Sequence, residues 1–416
     1  MKVLITNTVA LNGGDAAILL SVIEMLQSEF GSDTQVIVFG SQPEDVMNCY
    51  PELDVRGPLY RNWATRRQQA RLTLVLWLWN LGHPGAAARV AGAKRWNDLH
   101  EYLTADLIVA TGGTYLVENY NIESRLFDFE LSLRLRRPLA LFTQSLGPFD
   151  NKANRDRLRP IFENSLITLL RDERSRRNVT SLGVDPSKTV VCADAAFSMA
   201  KSETLKSAAA RDFPTDSPLR IGISVRNWSF FKQVDTDTGM ARYREAVGAL
   251  VCDLVQNGNE VTFISTCQGI PAYWTDDSKL AESIAAELPP AIQEALTIDR
   301  SFRTPQALAT RLGELDLVIA TRMHMAILSL VAGTPVLPIA YEFKTSELFE
   351  RLGVAEWVVD IETLTPQSLA ADFERVRTAV PRLRKELFER VEEERVSARS
   401  AATALAQALR TQRAKN

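Results

Sequence analysis

Residues 317–339 read LVIATRMHMAILSLVAGTPVLPI, and the parsing of this stretch decides the fold class. Its first residues are continuously apolar and β-rich, as in a parallel strand covered on both faces. The run after Arg322 reads as a helix, and PVLPI (335–339) reads as the next strand. Strand, helix and strand in succession describe a parallel crossover, because an antiparallel pair needs only a tight turn. The strand-to-helix turn holds Arg322 and His324, in a chain with only three histidines.

The same alternation extends outward in both directions. Toward the N-terminus the apolar runs are KVLIT (2–6), QVIVFG (35–40), DLIVAT (106–111), PLALFTQ (138–144), LITLL (166–170) and TVVC (189–192). RIGISV (220–225), EVTFIST (260–266), DLVIAT (316–321), PVLPI and WVVD (357–360) form a second set. Segments with helical spacing, such as 15–30 and 240–256, lie between them. This predicts an α/β protein with two wound parallel sheets. The expected domains are residues 1–200 and 219–365, joined by a polar linker at 201–218 that carries two prolines. A charged helical segment, 366–416, is expected to pack back on the first domain.

Bulk properties narrow the function classes. At 416 residues, with 46% hydrophobic and 24% charged residues, the chain has material for two cores. A net charge of −3 and a pI of about 5.9 give no global basic field for nucleic acid. The expected partner is a small anion or glycan held by local charges. Four cysteines without C-x-x-C spacing read as reduced core residues of a cytosolic protein. No metal-ligand constellation, paired D-x-D or G-x-S-x-G elbow is present. MKVLITN is a first strand and not a signal peptide, and the longest apolar run, 72–82, is too short to span a bilayer.

Three glycine-containing turns follow strands in the first half. In NTVALNGGDAAILL the candidates are Asn12, Gly14 and Asp15, where glycine admits close backbone approach and a helix N-terminus offers N–H groups to an anion or sugar hydroxyl. The plainer reading is a tight turn with Asp15 as N-cap. ATGGTYLVEN contributes Gly112, Gly113 and Thr114, and FTQSLGPF contributes Gln144. Ligands of open α/β sheets bind outside the carboxyl ends of the strands, where all three turns would lie. A purely structural turn remains the competing reading for each. In LLRDERSRRNV, Arg171 and Asp172 are expected to pair with each other, with Ser175 capping a helix.

The second half places cations at successive strand ends: Arg226 after RIGISV, Arg322 and His324 after DLVIAT, and Lys344 after the following strand. Arginine at such a position suits bidentate binding of carboxylate or phosphate. His324 is able to exchange a proton near neutral pH, although a histidine hydrogen-bonded in the core is the competing reading. A further segment, 61–96, sets arginines 61, 66, 67 and 71 before a run with Trp77 and Trp79. It reads either as a core helix with a charged entry or as a contact for a bilayer interface or lipid-bearing acceptor.

The motifs GGDAAI, GGT, QSLGPF, RDERS…LGV, ADAAF, ISVR and TRMHMAILSLVAGTPVLPIAYEFK occur in the order seen in polysaccharide pyruvyl transferases, which the chain resembles from residue 3 to about 355. The resemblance implies two Rossmann-like domains facing a central cleft, as in GT-B glycosyltransferases. It implies phosphoenolpyruvate as donor, a saccharide hydroxyl pair as acceptor, free or lipid-linked, and no metal or other cofactor. Carried onto this chain, Arg226, Arg322 and Lys344 answer to the donor phosphate and carboxylate, and His324 to the catalytic acid or base. The catalytic pair is then His324 and Arg226. Asn12, Gly14, Asp15, Gly112, Gly113, Thr114 and Gln144 are the acceptor-side candidates. The implied location is the cytoplasm, at the inner face of the membrane if 61–96 makes peripheral contact. The motifs leave 57–100 unaccounted for. Two other functions fit the same architecture: a glycosyltransferase using a nucleotide sugar, and a non-catalytic glycan-binding protein of a polysaccharide assembly complex.

Overall fold

The computed structural model describes residues 1–118, 121–215 and 217–415. Among these, one sheet contains β1 (Lys2–Thr8), β2 (Gln35–Gly40), β3 (Val55–Arg56), β4 (Leu107–Ala110), β5 (Gly113–Leu116), β6 (Leu139–Leu146), β7 (Ile167–Leu170) and β8 (Thr189–Val191). A second contains β9 (Arg220–Ser224), β10 (Glu260–Phe263), β11 (Thr297–Ile298), β12 (Leu317–Ala320), β13 (Val336–Ala340) and β14 (Val359–Asp360). Neighbouring strands are parallel in both sheets. β4, β6, β7, β12 and β13 are buried at every position, which explains why their sequences show no apolar/polar alternation, even where β6 carries Thr143, Gln144 and Ser145.

The strand orders fix where functional groups converge. The first sheet runs β3-β2-β1-β4-β6-β7-β8, with β5 paired to β6, and the second runs β11-β10-β9-β12-β13-β14. In both, chain direction across the sheet reverses beside the first strand: between β1 and β4, and between β9 and β12. At such a switch point the flanking loops diverge and open a crevice at the strand ends. Arg226 and Arg322 follow the two strands that flank the second switch point.

The chain divides into two compact units. One comprises Met1–Ala10, Ile18–Ala195 and Ala398–Asn416, and the other Leu11–Ala17 and Ala196–Ser397. The helix Pro366–Lys415 therefore contributes residues to both. Within the first unit, Arg399 at its C-terminal end pairs with Glu24 at 3.1 Å.

Several local readings are corrected. Within the expected linker 201–218, Ser202–Ala210 is a helix that buries Leu205 and Ala208. Its alanine-rich sequence favours helix, and a two-residue apolar face is too sparse to show as periodicity. Asp216 lies outside the described residues, as does Asn119 in the ATGGTYLVEN turn. β3, β5 and β11 were not anticipated because two to four residues carry too little pattern. Ser175 is not the cap of the helix Glu173–Thr180. Asp172 is, accepting from the Ser175 N–H at 2.6 Å, while the Ser175 hydroxyl accepts from the Leu146 N–H at 2.8 Å.

Candidate functional site

In the second unit, backbone register sets the groups at one edge. Ser224 of β9 lies opposite Ala320 of β12, and Ala320 lies opposite Pro338 of β13. Arg226 and Arg322, each two residues past its strand, are thus at equivalent levels, with Tyr341 just beyond β13. Arg226 is half-buried and donates to the Tyr341 hydroxyl. Its guanidinium carbon lies 4.4 Å from the Tyr341 ring centroid and 5.4 Å from that of Trp228. These partners orient the fork without neutralising it.

Arg322 is placed differently. It is 8% exposed, and its Nε and Nη2 both bond Asp277, the latter at 2.8 Å. Asp277 also accepts from the Ser265 hydroxyl. Burial alone would lower the guanidinium pKa, but the Asp277 charge raises it well above its ordinary value. Arg322 is therefore a fixed cation that anchors the turn at the start of the helix Met323–Val331. Lys344, in the first turn of the helix Phe343–Arg351, pairs with Glu342 at 2.5 Å.

His324 is half-buried in the first turn of its helix. The segment Leu11–Ala17, which opens the helix Gly13–Phe30, packs against it within the same unit. A Cβ on Gly14 would stand 2.6 Å from His324 Nδ1 and 2.8 Å from its Cβ, so glycine is what permits this approach. The Gly13 N–H donates to the Thr266 carbonyl at 3.1 Å. The cap of this first helix is Asn12 and not Asp15: Asn12 Oδ1 accepts from the N–H groups of Gly14 at 2.9 Å and Asp15 at 3.4 Å. An amide oxygen placed before the helix reaches the orphan donors that Asp15, one turn inside, does not. Cys267 and Tyr273 lie close to Asp15, and burial pushes the Cys267 thiol up to about 11, so it is held neutral.

The remaining candidates belong to the first unit and serve a buried polar network. Arg171, 5% exposed, bonds Asp194 at 2.5 Å, the Ser145 hydroxyl at 2.7 Å and the Thr114 hydroxyl at 2.8 Å. The expected pair of Arg171 with Asp172 is replaced by this set: Asp172 accepts from Ser145 at 2.6 Å besides capping its helix. Gln144 is buried, and its amide donates to the carbonyls of Ala110 and Thr111. Gly112 abuts Thr143 and Ile18, and Gly113 has φ +127°. These contacts make Gln144 and Gly112 builders of the turn.

The structure thus brings Arg226, Arg322 and His324 to one sheet edge, with Asn12, Gly14 and Asp15 in the same unit. Tyr341, Trp228 and Asp277 were missed. The two aromatics had a signal, since Tyr341 lies in the quoted AYEFK stretch and Trp228 follows β9 closely in sequence. Asp277 had none, because it opens a helix far from any strand end in sequence. Among the described residues no cluster of His, Cys, Asp or Glu could hold a metal ion.

Comparison with known proteins bears on the family and the fold. The profile of the polysaccharide pyruvyl transferase family matches residues 12–342. The amylovoran biosynthesis protein AmsJ of Erwinia amylovora is 24% identical over 410 residues, covering 95% of this chain and 97% of that protein. Among solved structures, the UDP-GlcNAc 2-epimerase of Neisseria meningitidis bound to UDP-GlcNAc superposes with a TM-score of 0.58 at 13% identity, covering 99% of this chain and all of that one. Anabaena Alr3699/HepE in complex with UDP-glucose gives 0.54 at 14%, covering both chains fully. At these identities the structural likeness speaks to fold alone: two Rossmann-like domains of GT-B type.

Proposed function

The chain belongs to the polysaccharide pyruvyl transferases, and from that premise we propose that it moves the enolpyruvyl group of phosphoenolpyruvate onto a hydroxyl pair of a cell-surface polysaccharide or its lipid-linked precursor. The product is a pyruvate ketal. The observation that carries the reading is Arg226, a cation at a topological switch point whose partners are a phenol and two aromatic faces and, among the described residues, include no carboxylate. A multiply charged donor needs such a group, because an arginine already paired with an acid offers little net charge.

In this reading Arg226 holds the donor carboxylate or phosphate, and Lys344, paired with Glu342 in the unliganded chain, joins it by exchanging that carboxylate for the donor anion. Arg322 contributes its field and fixes the turn that carries His324. The reaction starts when a proton reaches the donor methylene, leaving an oxocarbenium-like carbon. One sugar hydroxyl adds there, the C–O bond to phosphate breaks, and the second hydroxyl closes the ring. One hydroxyl proton balances the new methyl group and the other leaves with phosphate. His324 is the group that exchanges these protons. Asn12 and Asp15, in the same unit as His324, take the acceptor side. Gly112, Gly113, Thr114 and Gln144 shape the turns of the first sheet. We place the reaction in the cytoplasm, where the donor is made.

The test is calorimetric titration of phosphoenolpyruvate into the wild-type protein and Arg226→Ala, with uridine diphosphate as control. Binding of phosphoenolpyruvate alone, weakened at least about tenfold by the substitution, supports the donor assignment. Binding of the nucleotide with silence toward phosphoenolpyruvate would move the chain to nucleotide-sugar chemistry.

A further inference from the structure

The helix Arg66–Asn80 has two apolar faces, and only one of them is used. At about 3.6 residues per turn, Leu72, Val75, Leu76 and Trp79 share a side. The first three are buried, and Trp79 packs on Trp96 and His100. The opposite stripe carries Arg66, Arg67, Leu74, Trp77 and, at the C-cap, Leu81. Leu74 is 45% exposed, Trp77 57% and Leu81 53%, and both arginines are exposed. Of the two tryptophans read as interfacial, only Trp77 faces outward.

Charge around this stripe is one-sided. Residues 57–97 contain seven Lys or Arg and no Asp or Glu, in a chain whose net charge is −3. Arg134, on the neighbouring helix, reaches Thr73 at 3.4 Å and adds another exposed cation beside it. An apolar stripe with a tryptophan, flanked by arginines, is the composition of a helix lying in the headgroup layer of a bilayer. Among the described residues no helix is long and apolar enough to cross a membrane, so the contact would be superficial. A second copy of the chain is a poor occupant, because two-fold apposition would set one arginine cluster against the other.

We propose that this stripe docks the protein on an anionic membrane surface, with Leu74, Trp77 and Leu81 entering the headgroup region and Arg66 and Arg67 meeting lipid phosphates. The proposal needs no donor and no catalysis, so it stands or falls apart from the functional reading. It would bring the first unit to the surface where a lipid-linked acceptor resides.

Co-sedimentation of the full chain with phosphatidylcholine vesicles, with and without phosphatidylglycerol, tests it. The wild type is expected to pellet with anionic vesicles only and to be released by high salt. R66Q/R67Q is expected to weaken partitioning about 30-fold, the loss from two interfacial arginines. L74S/W77S is expected to abolish it at low salt as well, while its circular dichroism matches the wild type. Equal pelleting with neutral vesicles, wild-type binding by both variants, or absence of binding altogether overturns the proposal. So does a wild-type dimer that L74S/W77S converts to monomer, since the stripe would then be an interface between copies.

Discussion

Arg171 and Arg226 come from one sequence pattern, an arginine one or two residues beyond a parallel strand, yet they do opposite things. Arg171 is 5% exposed and meets Asp194, Ser145 and Thr114, so every arm of its fork has a partner inside the protein. Arg226 is half-buried and meets Tyr341 and Trp228, neither of which carries a charge to offset its own. The first arginine holds a fold together, and the second is arranged to hold something that arrives. Arg322 stands between them: it is paired as tightly as Arg171, but beside His324. What separates binding from building is the charge of the partners, and position after a strand says nothing about it.

The sharpest way to break this contrast is to remove the enclosed cation. Arg171→Met removes the cation that the buried Asp194 bonds and is expected to cost about 3–5 kcal/mol in urea unfolding. A wild-type midpoint would mean the network does not support the fold.

Asp128 extends the contrast to a buried carboxyl whose burial outweighs the pull of its neighbours. Burial pushes it up to about 7, against the weaker pull of Tyr102 and Arg125. A carboxyl raised in the folded state binds its proton there while the unfolded chain has already released it. The contribution of Asp128 to stability is therefore expected to be full below about pH 4, to fall by a few kcal/mol as pH rises toward 7, and to level off above. In Asp128→Asn that decline should disappear from the unfolding free energy measured across the same range.

Gly14→Ala probes the approach of the N-terminal loop to His324. The added methyl group must displace the imidazole, at an expected cost of about 1–3 kcal/mol. With three histidines in the chain, nuclear magnetic resonance can follow each ring. The His324 signals should move and those of His83 and His100 should not. Displacement of all three, or none, would deny the contact.

Arg226→Ala should have the smallest effect on the fold, within about 0.5 kcal/mol, because no buried carboxylate loses a partner. Its expected effect is on phosphoenolpyruvate affinity, by about 1.4 kcal/mol or more. A variant that unfolds like Arg171→Met while binding donor normally would erase the distinction between the two arginines.

Much of the fold was legible because parallel strands covered on both faces must be apolar without interruption. QVIVFG and DLVIAT announce β2 and β12 through local composition alone. The two-residue strands β3 and β11 lack that signal, and the helix Ser202–Ala210 hides its narrow apolar face among alanines. Arg226 and His324 were legible as site candidates because the ends of such strands are where wound sheets accept ligands. Gln144 carried the same signal and turned out to be enclosed, its amide bonded to two carbonyls.

By itself, the sequence determined the class of the fold, the level of each major strand and the residues that stand at strand ends, since these depend on burial of neighbours along the chain. Only the tertiary structure decided which carboxylate meets which arginine, that the start of the helix Gly13–Phe30 packs against His324, and that one apolar face of Arg66–Asn80 is left uncovered. Ion pairs and close glycine contacts join residues tens to hundreds of positions apart. An apolar stripe, too, reads the same in sequence whether a core covers it or solvent meets it.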